Sequence, residues 1–217
     1  MESETPVRAA VIYYSAGGTV HTLALAAAEG AEKAGAEVRL RRVPETAQHS
    51  GQHAGQHAGQ DTGQDTVGGA AAEVRPGSPL SRVATADVPE AAVGDLDWAD
   101  VVLFGTPTRL GTMSAPVKEF IETTGPLGSA GGLADKVYSA FTSSGTARGA
   151  SGAGLLALVN VFCHWGGVIV PPGCPDPAAD AAQDGAAGDV ALEAVRYQAW
   201  RAVTTAAALA ARRTHPL

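Results

Sequence analysis

Cysteine is nearly missing. The 217-residue chain holds two, Cys163 and Cys174, too few for a disulfide framework or a cysteine-built metal site. Aromatic residues make up 5% and charged residues 17%. Alanine fills the gap with 44 positions, so the expected core is built of Ala, Val and Leu, a composition that suits helices laid on a sheet. Basic charge is also short: 15 Lys and Arg against 22 Asp and Glu give a formal net charge of −7 and a pI near 5.3. No nucleic-acid or anionic-membrane partner is expected, because binding phosphate backbones needs a basic face. No apolar run approaches the ~20 residues that cross a bilayer. The opening MESETPVR is acidic and has no apolar stretch, so no secretion signal is expected. These absences point to a cytoplasmic protein, with residues 1–217 forming a single domain.

What is present has a rhythm. Residues 7–14 read VRAAVIYY, a short and nearly continuous apolar run of the kind that marks a strand buried on both faces. The glycine-rich SAGGTV follows. Residues 21–34 then place Leu23, Ala27, Gly30 and Ala34 at helical spacing, and Gly35 stands where a helix stop belongs. Residues 36–43 alternate apolar and basic side chains, the pattern of a second strand. A crossover this short predicts parallel strands.

Residues 45–94 break the rhythm. They contain a tandem repeat, GQHA-GQHA-GQDT-GQDT, over residues 51–66. Such a composition buries too little apolar surface to offset the entropy of ordering it, so the segment reads as a mobile low-complexity insertion. His49, His53 and His57 are spaced four apart and would share one helix face as metal ligands. Glycine at every fourth position opposes that helix, and no metal site is expected.

Order is expected again from Asp97. Strands are predicted over residues 101–104, 136–142 and 168–170, and helices over 114–124, 153–165 and 189–212. The last helix would turn Leu192, Val195, Ala199, Val203, Ala206 and Ala210 to the core. Five strands alternating with helices describe an α/β, three-layer doubly wound sandwich around a parallel sheet. In such sheets a ligand sits beyond the carboxyl ends of the strands, where the strand order reverses. Three loops rich in Ser, Thr and Gly fall there: residues 15–20, 106–113 and 143–149.

The first loop joins a strand to a helix N-terminus. Its backbone N–H groups converge, the helix dipole favours an anion, and Ser15 and Thr19 add hydroxyl donors. It holds no Lys or Arg, which fits a phosphate monoester such as that of FMN. A GxxxxGK[ST] phosphate loop is absent, and so is a GxGxxG dinucleotide turn. The second strand ends in Arg41 and Arg42 rather than an acid, which leaves a weak case for NADP on a dinucleotide fold. The acids of a phospho-receiver domain are missing from the strand ends. Flavodoxin-like FMN binding survives.

The segments YYSAGGTVHTLALAAAEGAEKAGAEVRLRRVPET, DLDWADVVLFGTPTRLGTMSAPVKEF, VYSAFTSSGT and HWGGVIVPPG resemble the WrbA-type NAD(P)H:quinone oxidoreductases. The likeness covers most of residues 7–171 outside the insertion and returns at VRYQ, residues 195–198. FGTPTR followed by GxM is its most specific piece. The resemblance implies a flavodoxin-like fold with strand order 2-1-3-4-5 and FMN as cofactor. NADH or NADPH would be the electron donor and a quinone the acceptor, in a homodimer or homotetramer. It implies that Ser15, Ala16, Gly17, Gly18, Thr19 and Val20 hold the FMN phosphate. Pro107, Thr108, Arg109, Leu110 and Gly111 would run beside the isoalloxazine, with backbone N–H groups of this segment reaching its N5 and O4 edge. Ser143, Ser144, Gly145, Thr146, Ala147 and Arg148 would wrap the other polar edge and the ribityl chain. His164 matches the family's flavin-site histidine, to be reached from a neighbouring subunit. Arg109 and Arg148 are the candidates to stabilise charge on the reduced flavin or on the quinone; no other residue is given a catalytic part.

The chain departs from the pattern in four places. Gly17 replaces an aromatic residue linked to nicotinamide contact. Gly128 replaces a tryptophan that walls the substrate pocket. Arg148 replaces a glycine. The stretch over residues 175–188 is short and lacks the family's GGTPYG. These losses keep two other readings open: a flavodoxin-type one-electron carrier, and a binding module that has lost flavin.

Overall fold

The computed structural model describes residues 5–45, 87–143, 150–173 and 187–213. Five parallel strands form one sheet in the order β2-β1-β3-β4-β5. They are β1 (Arg8–Tyr13), β2 (Glu37–Arg42), β3 (Val101–Pro107), β4 (Val137–Ser143) and β5 (Val168–Ile169). The helices are α1 (Thr19–Lys33), α2 (Val93–Trp98), α3 (Ala115–Glu122), α4 (Gly125–Ser129), α5 (Ala150–His164) and α6 (Ala187–Arg213). The architecture and the strand order are the expected ones. The repeat over residues 51–66 with its histidines, residues 144–148 of the third loop, and residues 175–186 lie outside the described residues.

The central strands are apolar on both faces because both are covered. Alternation along β1 sends Ala9, Val11 and Tyr13 to one side, where Leu23, Ala24 and Ala27 of α1 and Ala199 and Val203 of α6 meet them. It sends Ala10 and Ile12 to the other, against Leu96, Val117, Phe120, Leu158 and Phe162. Small alanines let the helices approach the sheet closely, and large aromatics close the second layer. Phe162 stacks on Tyr138 with ring centroids 5.0 Å apart, within the range where aromatic pairs gain beyond simple burial.

Two local differences from expectation have physical causes. Order returns earlier than residue 97: Arg42 N–H donates to the Pro89 carbonyl at 3.0 Å and Ala91 N–H to the Arg42 carbonyl at 2.8 Å. Residues 89–91 therefore continue the pairing of β2. Helix α2 follows at once. Its anchor is the buried Asp95, which accepts from Ala92 N–H at 3.1 Å and from Arg41 Nε at 3.0 Å. Arg39 completes the set, 3.4 Å from Asp95 and 3.9 Å above the Trp98 ring. The basic side of β2 thus faces α2, while Val38 and Leu40 pack toward α1. On α6 the expected face holds except at its end: Ala210 is exposed, and Ala202 is buried instead.

Helices α1 and α6 pack backbone to backbone at Gly30. A Cβ at this position would lie 2.7 Å from the Arg196 Cα and 2.8 Å from its carbonyl carbon. Backbone cannot swing aside as a side chain can. On an open helix face Gly→Ala gains about 1 kcal/mol; here the overpacking cost of about 1–3 kcal/mol wins. Gly30→Ala is therefore expected to lower the urea midpoint. A raised midpoint would show that the two helices part without penalty.

Candidate functional site

The strand order reverses between β1 and β3, so the chain leaves β1 toward one face and β3 toward the other. In sheets of this order a ligand crevice lies outside the carboxyl ends at that point, and the first loop stands there. Gly18 precedes α1 with φ 90°, in the left-handed region, and no side chain caps the helix. The first-turn N–H groups of a helix have no intrahelical partner, so these donors are open to a ligand. Ser15 Oγ accepts from Gly18 N–H at 3.0 Å, which folds the loop back on itself and leaves the Ser15 proton to donate outward. Ala16 and Thr19 are exposed and Val20 is buried, so Val20 contributes backbone alone. A Cβ on Gly17 would meet nothing within 4 Å. The cup is polar, uncharged and open, and these donors fit a phosphate monoester.

The second loop is a tight hairpin. Arg109 and Thr112 exchange backbone bonds of 2.9 and 3.0 Å, across Leu110 at φ 49° and Gly111 at φ 76°. Two positive φ values make this a type I′ turn. Leucine in that region is strained, a condition that clusters at functional sites, and its side chain is 105% exposed. This geometry narrows which amides of the segment remain open. Thr108 N–H is taken by the Ser143 carbonyl at 3.0 Å, and Arg109 N–H by Thr112. Among the described residues the amides left for a flavin edge are those of Leu110 and Gly111. Pro107 and Ser143 pair across β3 and β4, and Thr108 Oγ1 lies 2.7 Å from Thr142 Oγ1. The second and third loops are therefore tied together at their bases. Arg109 is exposed and its charge reaches the Tyr14 hydroxyl at the end of β1, whose pKa burial raises.

His164 stands apart. It ends α5, which runs back from the carboxyl edge, and the next residues bond to the amino ends of β4 and β5. Within one chain His164 and the first loop occupy opposite edges of the sheet. His164 instead shares an open cleft of about 700 Å³ with Gly128 and Trp165. A further cleft of about 670 Å³, lined by Arg8, Asp100 and Lys136, also lies at the amino edge. Among the described residues, the first loop and the hairpin of the second, not these clefts, carry the open backbone donors. No group of three or more metal-ligating side chains occurs among the described residues. Arg41 is engaged by Asp95 and Arg42 by Glu90, so neither is free for a 2′-phosphate.

Residues 7–175 match the NADPH-dependent FMN reductase family. The chain belongs to that family. It is 37% identical over 174 residues to an NAD(P)H dehydrogenase (quinone) of Deinococcus radiodurans, covering 79% of this chain and 76% of the relative. A protein of the same description from Paracoccus denitrificans is 34% identical over 223 residues, covering 94% and 95%. Among solved structures, the flavodoxin, WrbA-like protein of Agrobacterium tumefaciens superposes with a TM-score of 0.57 at 22% identity, covering 97% and 99%. An archaeal flavodoxin follows at 0.54 and 14%, covering 92% and 99%. These two structural likenesses carry the fold.

One feature of this FMN reductase site escaped the sequence reading. Directly below the cup, Tyr13 Oη and His21 Nδ1 are 2.6 Å apart, with both residues buried. Burial pushes the Tyr13 hydroxyl up to about 12, against the opposing charge of Arg42. Burial lowers the His21 pKa. The unfolded chain therefore takes up the His21 proton first as pH falls. The stability contributed by neutral His21 is complete above about pH 6.5 and is lost progressively below it. His21→Asn abolishes this titration. The Tm advantage of the wild type over the variant should shrink between about pH 7 and about pH 5, read by thermal melts of both proteins. An advantage that stays constant over that window would remove His21 from the account.

Proposed function

We propose that the chain is a WrbA-type enzyme, which carries a hydride from NADH or NADPH through FMN to a quinone. The observation that carries this reading is the uncapped start of α1 behind Gly18, placed at the carboxyl ends of the strands where strand order reverses. Bound FMN supplies the redox chemistry: it takes a hydride from a nicotinamide and gives one to a quinone. The protein's work is to hold and orient. The N–H groups opening α1, with the Ser15 and Thr19 hydroxyls, grip the phosphate. The Leu110 and Gly111 amides face the polar edge of the ring, and Leu110 presents an apolar wall to an aromatic substrate. Arg109 and Arg148 bring positive charge to where negative charge develops.

The same reading gives the amino-edge cleft a part. Gly128 and His164 both match substrate- or flavin-side positions of the family, and both line that cleft. One chain cannot bring them to its own phosphate cup. A homodimer or homotetramer would let His164 of one copy approach the flavin of another. No described helix is long and apolar enough to cross a membrane, and we read the enzyme as cytoplasmic. A one-electron carrier is the second reading, favoured by glycine at positions 17 and 128, which leaves the ring without its aromatic cage.

Anaerobic mixing of the flavin-loaded protein with NADPH or NADH separates these readings. Rapid bleaching, followed by recovery of the yellow colour on adding a quinone, is expected. Bleaching that requires a separate reductase would make the chain a carrier, and a protein that stays colourless after incubation with FMN would make it a binding module. Arg109→Gln and Arg148→Gly are each expected to lower the flavin midpoint potential by about 10–30 mV, where 30 mV is about 1.4 kcal/mol for a two-electron couple. Unchanged potential and turnover in both variants would remove the arginines from the mechanism.

A further inference from the structure

We infer that Tyr13 and His21 form a clamp across the two ends of the phosphate loop and act as positioning residues that make the protein select FMN over riboflavin. The inference rests on the FMN reading of the site. Tyr13 is the last residue of β1, and His21 lies in the first turn of α1. Ser15, Ala16, Gly17 and Gly18 hang between them. Their side chains meet beneath the loop at 2.6 Å, with ring centroids 5.5 Å apart and tilted by 41°.

The pair shares one hydrogen bond, whose direction depends on the tautomer of His21. With the ring proton on Nε2, the Tyr13 hydroxyl donates to Nδ1. The surroundings agree. His21 is 6% exposed and Tyr13 is 1% exposed, so an unmade bond here would leave a buried polar atom alone. Among the described residues, Arg42 on β2 is the charged group that acts on Tyr13, and burial is the influence on His21.

The consequence is geometric. The loop carries no lysine or arginine, so a phosphate is held by directed N–H and O–H donors alone. Their convergence depends on the separation and tilt between the end of β1 and the start of α1. The backbone sets part of that: Gly18 must be left-handed, and Ser15 closes the turn. The clamp fixes the rest from below, through a bond that spans the loop and does not belong to it. A ring that binds along the second loop does not sense this separation; a phosphate does.

The test compares two probes, FMN and riboflavin, titrated against flavin-free full-length protein by fluorescence quenching. Three variants are used. Tyr13→Phe removes one oxygen atom. His21→Leu removes the acceptor. His21→Asn keeps an acceptor oxygen where Nδ1 stands. Wild type should bind FMN more tightly than riboflavin. Tyr13→Phe and His21→Leu should weaken FMN about threefold to tenfold, the range that one buried neutral hydrogen bond sets, and leave riboflavin unchanged. His21→Asn should recover most of the FMN affinity. Equal loss of both ligands, or an unchanged FMN-to-riboflavin ratio in Tyr13→Phe, overturns the clamp. Tyr13→Phe decides the matter if His21→Leu fails to fold. A wild type that does not distinguish the two ligands overturns the FMN reading itself, before the variants are compared.

Discussion

The site depends on a helix that starts without a cap at a strand end where the sheet changes direction. Strand β1 sits between β2 and β3, and the chain leaves β1 and β3 toward opposite faces. The two loops therefore diverge and cannot cover each other. Helix α1 begins in that gap with no side-chain cap. Its open amides are a cost to the folded protein when alone and an asset when an anion fills them. The uncharged loop makes the dipole and the donors the local source of binding. A chain of net charge −7 offers a phosphate no general attraction, so affinity must come from fit.

How much of this could be read from sequence depends on how local each signal is. The strands and the large helices were legible because burial on both faces leaves unbroken apolar runs, as in residues 101–104, and amphipathic spacing marks the helices. Helix α2 was not legible, since six residues make fewer than two turns and show no period. It is held by the fully buried Leu96 and by Asp95 meeting Arg39 and Arg41, residues more than 50 positions away. The position of the first loop was legible from SAGGTV, yet the spent amides of Thr108 and Arg109 were not. Which N–H groups a loop consumes is set by its turn type, and a leucine at φ 49° is not what sequence preferences predict for a type I′ turn.

The placement of His164 teaches a different lesson, because its signal was present. A helix that follows a parallel strand must run antiparallel to it, so its C-terminal residue lies at the sheet's amino edge. The likeness to the family put His164 with the flavin, and topology put it across the sheet. Both hold together only if the functional unit contains more than one chain. On the proposed oligomeric reading, the cleft that His164 shares with Gly128 would be the far half of a divided site. Loss of the tryptophan there and of the aromatic residue at Gly17 would thin the flavin's surroundings from two sides, one in each copy.

The histidine beneath the proposed anion site is neutral because burial disfavours its charged form. A charged imidazole would attract a phosphate, so its absence looks like a lost opportunity. The location decides otherwise. His21 lies in the first turn of α1, where the helix already carries the positive end of its dipole, and it is nearly buried. A second positive charge there would be desolvated and repelled before any ligand arrived. The neutral ring avoids that penalty, and its Nδ1 can accept the Tyr13 proton, which a protonated ring cannot. Charge is exchanged for geometry. The cup then discriminates by where its donors point, and whatever fixes the ends of the loop fixes what the cup will bind.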